Sequence, residues 1–291
     1  GNTFYSMLGQ MAGAITNIIL DPIMIYGLLG CPAMGVAGAA WATVIGQFVS
    51  LIVIAVVYFG KGIGINTSLR YLKPDRETLG SIYSIGLPAV VMQILTPIMS
   101  YALNLILGAV SVSAVTAYGV YYKLQNFIFM PGYGLNNASI PIISYNFGAK
   151  NKERVAQTIR YGLIYVSLIM LAGIILLQTF AKSIVGLFSV TSESYQLCVL
   201  ALRIVTCGFF FAGANIILQG VCQALGKGVY SLLISLLRFI LLALPLAWVL
   251  SLLPNAASLV WLALPVAEAG ASIVAILLTQ RTYRGICQRI S

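Results

Sequence analysis

The chain has 291 residues, of which 60% are hydrophobic and 8% charged, with a mean hydropathy of +0.99 and a formal net charge of +10. A soluble domain of this length carries about a quarter charged residues to wet its surface, so an ordinary water-soluble fold is excluded and lipid is the expected solvent for most of the chain. Most of the sixteen basic residues fall in short segments between apolar stretches and not on one wettable face, which speaks for membrane topology and against nucleic acid.

A bilayer core takes about 20 apolar residues per helix. Eight such segments are expected, at 4–29, 36–59, 79–107, 113–145, 155–181, 194–224, 229–252 and 258–280. The first holds Asn17 and, four residues on, Asp21-Pro22; its Gly9–Gly13 spacing suits tight helix packing. The fourth contains Pro131 and Pro141 and is expected to kink. Lys61, Arg70, Lys73 and Arg76 follow the second segment; Lys150, Lys152, Arg154 and Arg160 flank the junction of the fourth and fifth. Lys227 follows the sixth, and Arg281, Arg284 and Arg289 follow the eighth. These twelve share one side, against Lys182 on the other, so both ends of the sequence are expected in the cytoplasm of a multi-pass cell-membrane protein.

Chemistry by side chains is poorly provided for. No histidine is present, which removes the commonest general base and zinc ligand. The five cysteines (Cys31, Cys198, Cys207, Cys222 and Cys287) show no paired spacing, and neither a disulfide framework nor a metal site is read from them. An enzyme is therefore not expected, and no cofactor.

Charged residues inside the spans are candidates for function, because an ionised group at mid-bilayer costs about 2.5–3.5 kcal/mol on insertion scales. Asp21 is placed about eight residues from the outer end of its span, about 12 Å deep at 1.5 Å per residue, where a neutralising proton or metal cation is favoured. Pro22 frees a backbone carbonyl one turn back, and Asn17 shares the face of Asp21. Together they offer a hard-oxygen cluster suited to Na⁺ or H⁺; the alternative is a carboxylate that only satisfies backbone at a proline kink. Glu268 and Arg238 fall at similar depths on successive antiparallel spans. They are expected either to pair or to act in transport. Lys123 either faces water in a cleft or touches cargo, and Arg203 is expected to snorkel toward the interface. Gln93, Asn104, Tyr118, Phe129, Met130 and Asn215 are candidates for an adaptable cargo pocket, with Asp21, Lys123 and Glu268.

Weak self-similarity links Gly1-Asn2-Thr3-Phe4-Tyr5-Ser6 to Gly226-Lys227-Gly228-Val229-Tyr230-Ser231. Six spans follow the basic loop and two precede it. Two six-helix halves, with four helices expected upstream of residue 1, would account for both.

Several stretches then resemble one family in order and spacing. They are Asn17-Ile18-Ile19-Leu20-Asp21-Pro22, Gly35-Val36-Ala37-Gly38-Ala39-Ala40-Trp41-Ala42-Thr43, Gly86-Leu87-Pro88, Lys123-Leu124-Gln125-Asn126-Phe127 with Met130-Pro131, Pro141-Ile142-Ile143-Ser144-Tyr145-Asn146-Phe147-Gly148-Ala149-Lys150-Asn151, and Gln223-Ala224-Leu225-Gly226-Lys227. The sequence is similar to multidrug and toxic compound extrusion (MATE) transporters, in their bacterial multidrug-export branch. The resemblance implies an all-α polytopic membrane protein: eight transmembrane helices, the fifth to twelfth, of a twelve-helix, two-lobed 6+6 fold. Residues 1–60 would be the last two helices of the N-terminal lobe, 61–78 the cytoplasmic inter-lobe loop and 79–291 the six-helix C-terminal lobe. It also implies a coupling-cation site at Asn17, Asp21 and Thr43. Ser139, where the family usually has an amide, and Glu268, where the branch more often has Asp, depart from the pattern.

The expected activity is export of small organic cations in exchange for Na⁺ or H⁺ by alternating access, from a monomer in a lipid bilayer. The competing expectation is a lipid-linked oligosaccharide flippase of the same fold; its anionic cargo calls for several cleft Arg or Lys residues, and only Lys123 and Arg238 are available. A channel is disfavoured by the lack of a repeated filter sequence.

Overall fold

The computed structural model describes the backbone of residues 3–60 and 75–290. Lys61, Arg70 and Lys73 and most of the expected inter-lobe loop lie outside the described residues, as do the side chains of Arg284, Cys287 and Arg289. Among the described residues all regular structure is helical. The chain divides into two compact units, Gly1–Lys73 and Pro74–Ser291.

Unit 1 is a helical hairpin of α1 (Thr3–Tyr26) and α2 (Val36–Gly60). Gly27, at φ 73°, takes the left-handed backbone that ends α1. Met34 and Gly35 then donate backbone hydrogen bonds to the carbonyls of Met24 and Ile25, at 3.0 and 3.3 Å, and turn the chain back. Asp21 is thus five residues from the end of its helix, not eight, and about 7.5 Å in at 1.5 Å per residue. The helices touch through glycine. A Cβ on Gly13 would stand 2.7 Å from the carbonyl oxygen of Gly46, and one on Gly46 would stand 2.8 Å from that of Gly13. Gly9 packs against Ile54 on the same face, so the GxxxG spacing seats α1 on α2.

Unit 2 contains α3 (Arg76–Val110), α4 (Val112–Gly148), α5 (Lys152–Gly186), α6 (Ser192–Thr206), α7 (Phe209–Ala224), α8 (Gly228–Leu236), α9 (Leu244–Ser251), α10 (Ala256–Leu259) and α11 (Ala263–Ile290). Asp75 caps α3, accepting from Thr78 N at 2.9 Å and Thr78 Oγ1 at 2.6 Å; the Thr78 hydroxyl holds its carboxyl below the usual carboxylate range. Phe129, Phe209, Met170, Leu202 and Trp261 are fully buried in the core, while Tyr165, Leu168, Leu171 and Ile175 of α5 are exposed. A helix with apolar residues on its outer face as well as its inner one belongs in lipid.

Among the described residues six helices are long and apolar enough to cross a membrane, and seven if the bent α6–α7 pair is one span. Two of the expected eight, 194–224 and 113–145, are not among the six. The expected 194–224 span is broken at Cys207-Gly208, where α6 and α7 meet at a bend of 50°. A Cβ on Gly208 would lie 2.7 Å from Pro265 Cα, so α11 crosses at the break. Gln178 Nε2 donates to the carbonyl of Arg203 at 2.8 Å and to Thr206 Oγ1 at 2.9 Å, satisfying groups that the break releases. The expected 113–145 span is α4, which is long enough at 37 residues but is not among the six apolar helices. It carries Lys123, Gln125, Asn126, Asn136 and Asn137, and both prolines lie within its single helix.

Between α8 and α9 the helix widens into a π-helical segment, Leu237–Ala243, in which Leu244 N donates to the Phe239 carbonyl five residues back. Pro245 follows at once. It lacks an N–H, and its ring crowds the carbonyl four residues before it, which accounts for the local widening.

Replacing Gly46 by Val should force α1 and α2 apart, costing about 1–3 kcal/mol, the usual range for overpacking. Thermal unfolding of the full-length protein in detergent would record this as a lowered midpoint, and an unchanged midpoint would refute the close approach.

Candidate functional site

In unit 1, Asn17, Asp21 and Thr43 come together. Helical spacing puts Asn17 and Asp21 one turn apart on α1, and the hairpin brings in Thr43 of α2. In one amide orientation Asn17 donates to Asp21 Oδ1 and Thr43 Oγ1, both at 3.4 Å. In the other it donates to Asp21 Oδ2 at 3.3 Å and accepts from Thr43 N at 3.2 Å. Either way Asn17 bridges the two, and Thr43 Oγ1 also donates to the Ala39 carbonyl at 2.9 Å. The available ligands are a carboxylate, an amide oxygen and a hydroxyl, a hard-oxygen set that fits Na⁺ or a proton and not a soft metal. Among the described residues no group of three His, Cys, Asp or Glu side chains gathers to hold a metal ion.

In unit 2, the π-helical segment carries Arg238, which is 6% exposed and forms a salt bridge with Glu268 of α11. Arg238 Nε donates to Glu268 Oε1 at 2.7 Å. The other carboxylate oxygen, Oε2, accepts from Asn215 Nδ2 of α7 at 3.0 Å. Ser272 Oγ lies 3.1 Å from Asn215 Oδ1 as its donor. One network therefore ties α7, α11 and the π-helical segment.

Two cavities flank the pair. The smaller, about 70 Å³, is lined by Tyr118, Tyr121, Phe129, Phe209, Arg238 and Glu268 among others. The larger, about 580 Å³, is rich in amides, six of its fifteen lining residues, and is also lined by Tyr133 and Arg238. Thr96, Asn126, Tyr133, Arg238 and Phe239 line both.

Of the expected cargo residues, Gln93 lines the larger cavity, and Tyr118, Phe129 and Glu268 line the smaller. Asn215 is fully buried behind them and acts on Glu268. Met130, 69% exposed, lines neither cavity. Asn104 lines neither and donates to the Ser100 carbonyl at 2.9 Å. Lys123 is exposed, with Nζ 6.0 Å from the ring centroid of Phe188, away from both, and Arg203 is exposed at the end of α6. Sequence reasoning passed over Asn136, Asn137, Gln219, Gln223 and Ser235, all of which line the larger cavity. The signal was the recurrence of amides on two helices, Asn126, Asn136 and Asn137 on α4 and Asn215, Gln219 and Gln223 on α7.

The ends of unit 2 differ in charge. Tyr283 Oη donates to the Lys152 carbonyl at 3.4 Å, and Ser144 Oγ to the Ala224 carbonyl at 3.0 Å. These bonds join ends of α4, α5, α7 and α11 near Lys150, Lys152, Arg154, Lys227 and Arg281. At the opposite end Ser194 Oγ donates to Ser113 Oγ at 3.1 Å, and Tyr195 Oη to the carbonyl of Lys182 at 2.9 Å.

The chain is 29% identical over 279 residues to the multidrug export protein MepA of Staphylococcus aureus (strain MSSA476), covering 96% of this chain and 60% of that protein. Among solved structures it is similar to an outward-facing multidrug resistance MATE family transporter of the MOP superfamily, with a TM-score of 0.90 and 24% identity over 97% of this chain and 63% of that one. It is also similar to the Vibrio cholerae MATE transporter VcmN in its bent form, with a TM-score of 0.86 and 25% identity over 98% of this chain and 64% of that one. The chain thus spans about 60% of the length of the curated relatives it matches. A family model described as MatE matches residues 88–249, more than half of the 291. Sequence, fold and helix order agree, and the chain belongs to the MatE family.

Proposed function

We propose that this chain supplies eight membrane helices of a two-lobed multi-pass exporter that moves small organic cations out of the cell in exchange for Na⁺ or H⁺. The observation that carries this reading is the Asn17–Asp21–Thr43 oxygen cluster, set in an apolar helical hairpin, in a member of a family whose relatives include a multidrug export protein. Unit 1 belongs to the N-terminal lobe and unit 2 is the C-terminal lobe; α4 spans the membrane as the fourth of the eight, its polar face turned to the cavities. An enzyme is not proposed. The flippase alternative gains nothing from the relatives, whose names speak of drug export.

The physics of coupling is a shift of population. A cation on Asp21 neutralises a carboxylate inside an apolar hairpin and favours the conformation in which Asn17 and Thr43 can also reach it. Cargo then competes for the other conformation, and each ligand biases the protein only by its difference in affinity for the two. In proteoliposomes of the full-length protein, Asp21→Asn should abolish ethidium movement driven by a Na⁺ or a pH gradient, while the protein remains folded. Movement at wild-type rate under both gradients would remove Asp21 from coupling.

The basic end of unit 2 faces the cytoplasm in this reading. With the native cysteines replaced, Lys182→Cys should react with a membrane-impermeant maleimide on intact cells, and Lys150→Cys only after permeabilisation. The reverse pattern would invert the topology.

Arg238 and Glu268 serve as a structural tie. Breaking a buried pair by removing one partner costs about 3–5 kcal/mol, whereas replacing both with apolar groups is often neutral. Arg238→Met and Glu268→Leu should each lower the unfolding midpoint of the full-length protein, and the double variant should recover most of the loss. A double variant no better than the worse single one would sink the pairing.

A further inference from the structure

We propose that the larger cavity of unit 2 recognises a carboxylate carried by the transported molecule, with Arg238 and Gln219 as its donors. The inference rests on the export reading and adds to it a preference, within the cargo, for organic molecules that bear an anionic group beside their cationic one.

Charge in this cavity is lopsided. Arg238 lines it, and no Asp or Glu does. Glu268, which balances Arg238, is turned toward the smaller cavity, and both its oxygens are engaged, Oε1 by Arg238 and Oε2 by Asn215. The guanidinium is not used up in the same way. It has five N–H donors in a planar fork, of which Nε and Nη2 face Glu268. Among the described residues Nη1 makes no hydrogen bond. The pair is neutral as a whole, yet of its two members only Arg238 lines the larger cavity.

A second donor stands beside it. Gln219 Nε2 is buried and has no hydrogen-bond partner among the described residues, while its Oε1 accepts from Ser235 Oγ at 3.0 Å. Ser235 is three residues before Arg238, one turn away on the same helical stretch. The Ser235 bond therefore fastens the amide of α7 to a residue one helical turn from Arg238, and both Gln219 and Arg238 line the cavity. Two neighbouring N–H donors, one of them charged, match the two oxygens of a carboxylate and form charge-assisted hydrogen bonds with it. A lipophilic cation without an acceptor meets only the positive edge of Arg238 here. Tyr133 and Phe239, which also line the cavity, offer apolar surface for the rest of the molecule.

The test uses two fluorescent dyes that differ by one methyl group: rhodamine 110, with a free carboxylate, and its methyl ester, rhodamine 123. Binding to the purified full-length protein in detergent is read by fluorescence polarisation for wild type, Gln219→Leu and Arg238→Lys. The lysine variant keeps a cation opposite Glu268 but loses the planar fork. Each variant should weaken rhodamine 110 by about tenfold, the loss of one charge-assisted hydrogen bond, and leave rhodamine 123 unchanged. Equal weakening of both dyes, no weakening of rhodamine 110 in either variant, or wild-type protein that binds the ester at least as tightly as the acid would each overturn the proposal. Because this is equilibrium binding, it is independent of ion-driven transport. Failure of the coupling test at Asp21 with retained carboxylate discrimination would strike the export reading alone.

Discussion

Lipid offers no hydrogen bonds, so every polar group carried into these helices has to find its partner inside the protein, and the demand is steepest at Arg238 and Glu268. An ionised side chain buried alone would shift its protonation or unfold its surroundings. Here each neutralises the other, Asn215 donates to the second carboxylate oxygen, and Ser272 in turn donates to the Asn215 amide oxygen. The result ties three elements of unit 2 to a common centre. It also sets the orientation of the guanidinium, and hence what each flanking cavity presents.

The same demand explains where the helices are irregular. Pro245 disturbs the backbone ladder, and the π-helical segment before it absorbs the disturbance while carrying Arg238. The break between α6 and α7 leaves carbonyls without helical partners, and the Gln178 amide comes across from α5 to accept that role. In unit 1, Pro22 lies next to Asp21, whose carboxylate is bridged to α2 through Asn17. Each irregularity exposes polar backbone, and each is accompanied by a polar side chain. Those side chains are the ones from which a binding site can be built.

The two units divide the chemistry that export would require. Unit 1 offers anionic oxygen in a hairpin of two apolar helices, a small site that suits a single ion. Unit 2 offers a large amide-lined cavity with a cationic edge, which suits an organic molecule.

Much of this was legible in the sequence. Apolar stretches of membrane length and basic residues between them are local properties of the chain, since insertion into lipid responds to composition segment by segment. The Asn17–Asp21 pair was equally legible, because a spacing of four fixes a shared helix face. Thr43 lies 26 residues from Asn17 and entered only through resemblance to a family. What tertiary structure alone decided was direction and interruption. It ended α1 three residues early at Gly27, broke one span where Pro265 meets Gly208, and turned Gln219 and Asn126 toward a cavity while leaving Met130 outside it. A side chain's depth follows from its place in the sequence, but what it faces depends on which helices pack beside it, and that is settled only when the whole unit has folded.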